Sequence, residues 1–165
     1  MENHKFVYVT YINTTPEKLW AALTQPEFTQ KYWFDSRIES DWKIGSPVRF
    51  RRGGEVITGD QILLRCEPPR LLSYTWHSIH RADLRHERPS RVTFEIEALD
   101  EKGGHQNRTV KLTVTHDDFP AGSKVFPAIS NGWPAVLSSL KSLLESGAAL
   151  EMDRPCAASG RQTGK

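Results

Sequence analysis

Apolar and polar positions alternate from the start of the chain: Phe6, Tyr8, Thr10 and Ile12 share one face of an extended segment, which predicts a strand over 6–13. Thr15 then suits a helix cap, Pro16 the first helical position and Glu17 the positive helix end, while Leu19, Trp20 and Leu23 form an apolar stripe. A short helix is predicted over 16–24. Gln25-Pro26 breaks it, and 27–32 can add another turn or two before the aromatic run Tyr32-Trp33-Phe34.

From Ile38 to His116 the pattern has period two and no second long helical stripe. Strand candidates at 48–52, 57–66, 71–78, 91–99 and 109–116 are separated by Gly53-Gly54, Glu67-Pro68-Pro69 and Gly103-Gly104, an antiparallel meander. Three of them name their buried face: Leu72, Tyr74 and Trp76; Val92, Phe94 and Ile96; Val110, Leu112, Val114 and His116. Their alternates, among them Glu95, Glu97, Lys111 and Thr113, leave the other face wet.

A final helix follows from Phe126, Ile129, Trp133, Val136, Leu137, Leu140, Leu143 and Leu144, with Gly147 as its stop. Because Pro134 breaks an interior turn, the regular helix is expected to begin near Asn131, after a kinked or separate stretch from Ser123. A sheet with one apolar face needs a cover, and this helix is the element large enough to provide it. The expected fold class is α+β: a twisted antiparallel sheet curled around a long C-terminal helix, with two short helices after the first strand. Such a sheet cannot close on one helix along its whole length, so a cleft between them is expected. One domain over 1–147 and a disordered tail over 148–165 complete the expected organisation.

Composition narrows the function without naming it. Of 165 residues, 38% are hydrophobic and 25% charged, enough apolar material for one core, and the net charge of +2 comes from interspersed signs rather than a basic field. Nucleic acid is therefore not an expected partner. No apolar run approaches the roughly 20 residues of a membrane span, and no signal peptide is read at the start, so the chain is expected to be cytoplasmic. Cys66 and Cys156 have neither a disulfide framework nor zinc-ligand spacing, and read as free thiols.

The ordered series Ile12, Thr15-Pro16, Leu19-Trp20, Leu23-Thr24, Trp33, Gly45, Gly59, Glu67-Pro68-Pro69-Arg70-Leu71, Tyr74, Trp76, Gly132-Trp133-Pro134, Leu137, Leu140, Leu144 and Glu145 resembles the START-related helix-grip (SRPBCC) superfamily. Within it, the series looks most like proteins similar to the C-terminal domain of the activator of the heat-shock 90 ATPase. The resemblance covers about residues 5 to 147. It implies a helix-grip fold around a hydrophobic cavity but no single chemistry, since superfamily members bind lipids, sterols and polyketides, some cyclise or hydrolyse, and others act on proteins.

The inward sheet face carries the most informative chemistry. Tyr8, Thr10, Tyr74, Trp76, His116 and Trp42 bring polar tips into an apolar surface, and a polar tip buried without a partner costs about 1 to 3 kcal/mol. These residues describe either a pocket for a mostly apolar molecule with a few oxygens or a core satisfied internally. Trp133 and Trp20 read as helix anchors; Trp33 and Phe34 suit the mouth of the cleft. Asp117 follows His116 but points to the opposite face of a strand, so it does not orient the ring as a catalytic carboxylate would. His77, His80 and His86 with Asp83 and Glu87 have a spacing that could approach a metal, yet Arg81, Arg85, Arg88 and Arg91 oppose a cation, and a solvated hairpin loop is expected. Those arginines with Arg49, Arg51 and Arg52 could also face an acidic partner. There is no phosphate-binding glycine loop and no Gly-x-Ser-x-Gly elbow.

The expectation is a binding protein with no cofactor, no catalytic residue and no metal, holding a small hydrophobic or aromatic ligand between sheet and helix. The expected lining is Tyr8, Thr10, Trp33, Trp42, Tyr74, Trp76, Phe94, Leu112, His116, Trp133 and Leu137. Two alternatives stand beside it. One is a chaperone-associated protein-binding module, as the family resemblance implies; the chain is expected to lack the separate N-terminal module of the eukaryotic co-chaperone, which counts against ATPase activation. The other is a cyclase, aromatase or hydrolase using Tyr74 and His116 as acid and base. A transcriptional-regulator partner is compatible with some relatives, and the chain reads as a monomer or weak dimer.

Overall fold

A computed structural model describes residues 3–99 and 109–152. The Gly103-Gly104 turn, Cys156 and residues 153–165 of the expected tail lie outside them. In chain order the elements are β1 (Phe6–Asn13), α1 (Pro16–Thr24), α2 (Pro26–Tyr32), β2 (Arg37–Glu39), β3 (Arg49–Arg52), β4 (Glu55–Val56), β5 (Leu63–Glu67), β6 (Leu71–Trp76), β7 (Ser90–Ala98), β8 (Thr109–Asp117) and α3 (Val125–Ser146). This is the expected α+β helix-grip arrangement.

Local chemistry starts the helices as the sequence indicates. Thr15 accepts the Lys18 N–H at 3.3 Å and Pro16 stands in the first turn of α1. The Tyr32 hydroxyl at the end of α2 donates to the Ala22 carbonyl at 2.6 Å, which fastens α2 back onto α1. Thr29, fully buried, accepts the Ile38 N–H and so joins α2 to β2.

The meander divides into two sheets. Five strands run antiparallel in the order β1-β8-β7-β6-β5, and β2-β3-β4 form a separate three-stranded sheet. The strand expected over 57–66 is consequently interrupted. Ile57 N–H still reaches Phe50 of the small sheet, whereas Gly59 N–H reaches His77 and Thr75 N–H reaches Ile62, so this segment passes from one sheet to the other. Gly59 is required there: a Cβ would stand 2.3 Å from Nδ1 of His77.

Alternation holds along β7 and β8, where Val92, Phe94, Ile96, Val110, Leu112, Val114 and His116 are buried. α3 packs against β1 and α2 and covers this face. It differs from expectation in being one helix with Pro134 inside it. An interior proline costs about 3 kcal/mol, but Ile129, Trp133, Val136 and Leu137 are all buried by the continuous helix, each stabilising by about 1.5–3 kcal/mol. Burial therefore outweighs the break. Gly147 ends α3 at φ +83°, its N–H bonded to the Leu143 carbonyl. No helix among the described residues is long and apolar enough to cross a membrane.

Candidate ligand-binding cavity

Four elements each bring one large aromatic ring to the same place. Trp33 stands at the C-terminal cap of α2, Phe50 on β3, Trp76 at the end of β6 and Trp133 on α3. Trp33 and Trp76 stack with centroids 6.1 Å apart and planes 14° from parallel, while Trp133 meets both at 5.3 Å, inclined at 65° and 54°. Phe50 lies 4.8 Å from Trp33. Edge-to-face and offset contacts of this kind are favourable and rigid.

These rings border a cavity of about 170 Å³, completed by Phe34, Ile57, Leu84, Val125, Ala128, Ile129, Gly132 and Val136. Gly132 sits inside α3, where glycine is unfavourable by roughly 0.5–1 kcal/mol relative to alanine, and a Cβ built there meets nothing within 4 Å. A side chain added there would enter open space, and Gly132 itself lines the cavity. The polar part of the wall consists of Ser36, Arg52, Thr58, Ser78, His80 and Arg81. Arg52 Nη2 donates to Ser36 Oγ at 2.9 Å, and Ser78 Oγ lies 2.8 Å from His80 Nδ1.

The loop bearing His80, Arg81 and Leu84 is held at two points. Asp60 N–H donates to His77 Nδ1 at 3.0 Å, so the ring proton is on Nε2 and donates to the Arg85 carbonyl at 2.9 Å. Glu87 accepts from Ser123 Oγ and from Lys124 N–H at the start of α3. His77 is thus a structural clasp, and no group of three or more His, Cys, Asp and Glu among the described residues is placed to hold a metal.

Of the eleven residues expected to line a pocket, the cavity gathers Trp33, Trp76 and Trp133. Tyr74, Phe94, Leu112 and Leu137 lie in the core, with Tyr74 and Phe94 supporting the aromatic cluster from behind. Tyr8 and Thr10 are half-buried on β1, and half-buried Trp42, at φ +56°, follows β2. His116 is fully buried beneath Trp133: its Nδ1 accepts the indole N–H at 3.1 Å and its Nε2 lies 2.7 Å from Ser90 Oγ. Burial depresses its pKa to about 3, against a smaller opposing effect of Asp117. Burial raises the Tyr74 phenol, whose oxygen has no hydrogen-bond partner among the described residues. Both groups lie outside the cavity lining, with burial raising the phenol and lowering the imidazole, which does not favour the alternative that pairs them as acid and base.

A family model described as activator of Hsp90 ATPase homolog 1-like protein matches residues 13–145. The chain belongs to this family. No curated protein matches it. Among solved structures, a protein of Mesorhizobium loti is similar at 26% identity, covering 86% of this chain and 96% of that one, with a TM-score of 0.67. The Aha1 dimer from Colwellia psychrerythraea is 20% identical, covers 87% and 98%, and has a TM-score of 0.66. An Hsp90 activator from Plasmodium falciparum is 22% identical over 85% and 95%, with a TM-score of 0.65. The latter two likenesses concern the fold alone.

Within this activator-like fold, the residues missed by sequence reasoning are those contributed by the small sheet and the held loop. Phe50 and Arg52 share a strand face at spacing two, a signal present in the sequence. Gly132 inside a helical stripe was another. Ser78 and Leu84 carried no signal, and Arg81 read only as part of a charged loop, because only the fastening of that loop brings them to the cavity.

Proposed function

We propose that this chain is a binding protein whose cavity between α3, the end of β6 and the small sheet takes a small aromatic molecule. The observation that carries the reading is the ring-bordered space of about 170 Å³. An engineered apolar cavity of about 150 Å³ stays dry and binds benzene, so the size suits one aromatic ring with small substituents. Trp33, Trp76, Trp133 and Phe50 would contact its faces and edges, and a glycine on the helix wall supports a role for the space itself. No cofactor is invoked.

The test is a thermal-shift and tryptophan-fluorescence screen of one-ring aromatics, because a ligand that prefers the folded state raises the melting temperature by mass action. A saturable rise that disappears in Gly132→Leu, which fills the cavity, supports the proposal. Responses unchanged in Gly132→Leu overturn it.

A second reading rests on family membership: a chaperone-associated module engaging an Hsp90 homologue. Co-purification with such a homologue and a changed ATPase rate support it; an unchanged rate and no association exclude it.

A further inference from the structure

Resting on the cavity reading above, we infer that the occupant carries an acceptor oxygen beside its ring: a one-ring aryl ketone or aldehyde whose carbonyl takes the hydroxyl hydrogens of Ser36 and Thr58. Both side chains line the cavity and both are buried, at 1% and 7% exposure. Each oxygen already accepts one bond, Ser36 Oγ from Arg52 Nη2 at 2.9 Å and Thr58 Oγ1 from the Phe50 N–H at 3.1 Å. Neither hydroxyl donates to an acceptor among the described residues. A hydroxyl has one hydrogen and two lone pairs, and a buried acceptor short of one bond is tolerated more readily than a donor short of its only one. The unmet need on this wall is therefore for acceptors. A ligand that displaces solvent from such groups without replacing the hydrogen bonds loses affinity.

Both hydroxyls are fixed from one strand. The Phe50 carbonyl accepts the Ile57 N–H while the Phe50 N–H goes to Thr58, and Arg52, two residues further along β3, holds Ser36. The turn that delivers Ser36 is itself strained. Phe34 stands at φ +46° and Asp35 at φ +58°, and a left-handed conformation is uncommon for a residue as bulky as phenylalanine. The turn is closed by the Ser36 N–H on the Trp33 carbonyl at 2.9 Å and by Gln30 Nε2 on Asp35 at 2.9 Å. Strain kept in this way is a mark of functional sites, and here one turn supplies both a stacking ring, Trp33, and a hydroxyl donor, Ser36, to the cavity wall. The charged groups of the wall are engaged in pairings of their own, Arg52 with Ser36 and Arg81 with Asp83, and Ser78 Oγ is bonded to His80. The neutral hydroxyls of Ser36 and Thr58 are left to meet the ligand's oxygen. A carbonyl oxygen offers two lone pairs at one atom and so takes both donors, and a space of about 170 Å³ admits one ring with such a substituent.

The experiment titrates the full chain by calorimetry with acetophenone and with α-methylstyrene, which has the same shape but a methylene group in place of the carbonyl oxygen. Thr58→Val and Ser36→Ala should each lower the ketone-to-alkene affinity ratio about fivefold while leaving alkene binding within about twofold. Thr58→Ser, which keeps the hydroxyl, should retain the wild-type ratio. Infrared spectroscopy of isotope-labelled acetophenone on the wild-type protein keeps the inference testable if the deletion variants fail to fold: the bound carbonyl stretch should lie below its value in hexane, as hydrogen bonding requires. A ratio unchanged in both Thr58→Val and Ser36→Ala, or a bound stretch at the hexane value, overturns the acceptor assignment and leaves the cavity reading standing. Absence of binding by both probes overturns both.

Discussion

The indole N–H of Trp133 donates to Nδ1 of His116 at 3.1 Å, and this single contact determines the state of both rings. An indole nitrogen is only a donor, so Nδ1 carries no proton and His116 is neutral with its hydrogen on Nε2. That hydrogen is directed to Ser90 Oγ at 2.7 Å, and Ser90 lies 3.5 Å from the Trp76 carbonyl. The chain His116, Ser90, Trp76 backbone and the bond to Trp133 together position two of the cavity's three tryptophans. His116 is a positioning residue beneath the cavity.

A pH dependence of stability follows. The folded-state pKa of His116 is about 3, whereas the unfolded value is about 6.5; the unfolded chain therefore binds the proton more readily. The contribution is complete above pH 6.5 and is lost as the pH falls toward 3, amounting to about 2 kcal/mol between pH 7 and pH 5. Urea denaturation at the two pH values measures it. His116→Gln, which can still accept from the indole, should abolish most of this difference; the same difference in the variant would refute the assignment.

Tyr74 is predicted to carry a hydroxyl that the fold does not use. Its oxygen is buried without a partner among the described residues, a situation that costs about 1–3 kcal/mol. Tyr74→Phe should leave stability unchanged or raise it by about 1 kcal/mol, read from the urea midpoint. A clear loss would show that the hydroxyl has a bonding partner.

At Gly132 stability and binding should separate. Gly132→Ala removes an unfavourable helix-interior glycine and places its methyl group in open space, so the melting temperature should rise by an amount corresponding to roughly 0.5–1 kcal/mol. Gly132→Leu should keep the fold and eliminate one-ring ligand binding. Retained binding in a folded Gly132→Leu protein would show that the ligand sits elsewhere.

Gly59 and His77 should be energetically coupled. The Cβ of Gly59→Ala would collide with the His77 ring at 2.3 Å and disturb the clasp from Asp60 to Arg85, costing about 1–3 kcal/mol. In His77→Ala the ring collision is absent and only the Ile79 methyl, 2.9 Å from the added Cβ, has to shift, so adding Gly59→Ala should cost much less than it does alone. A double-mutant cycle measures this; additive losses would mean that the close approach is relieved elsewhere.

Much of the architecture was legible in the sequence because it depends on short-range regularities. Period-two alternation marked β1, β7 and β8 and the face they bury, and Thr15-Pro16 and Gly147 marked where helices begin and end. Pro134 misled for a related reason: local propensity disfavours it, while the burial that retains it is set by α3 meeting the sheet. The split into two sheets was hidden because residues 57–62 divide their backbone bonds, Ile57 and Gln61 pairing with Phe50 and Val48 while Gly59 and Ile62 pair with His77 and Thr75, partners that no local pattern identifies.

The sequence by itself determined the α+β class, the order of elements, the core face of the long strands and three cavity tryptophans. Tertiary structure alone decided which polar-tipped residues are sealed in the core and which border the cavity. Tyr74 and His116 share the inward strand pattern with Trp76, but both are fully buried outside the cavity lining, whereas Trp76, at the strand's end, is half-buried and borders it. Alternation specifies a face. Distance along that face from the covering helix, and the loops fastened over its end, depend on contacts between residues far apart in the chain.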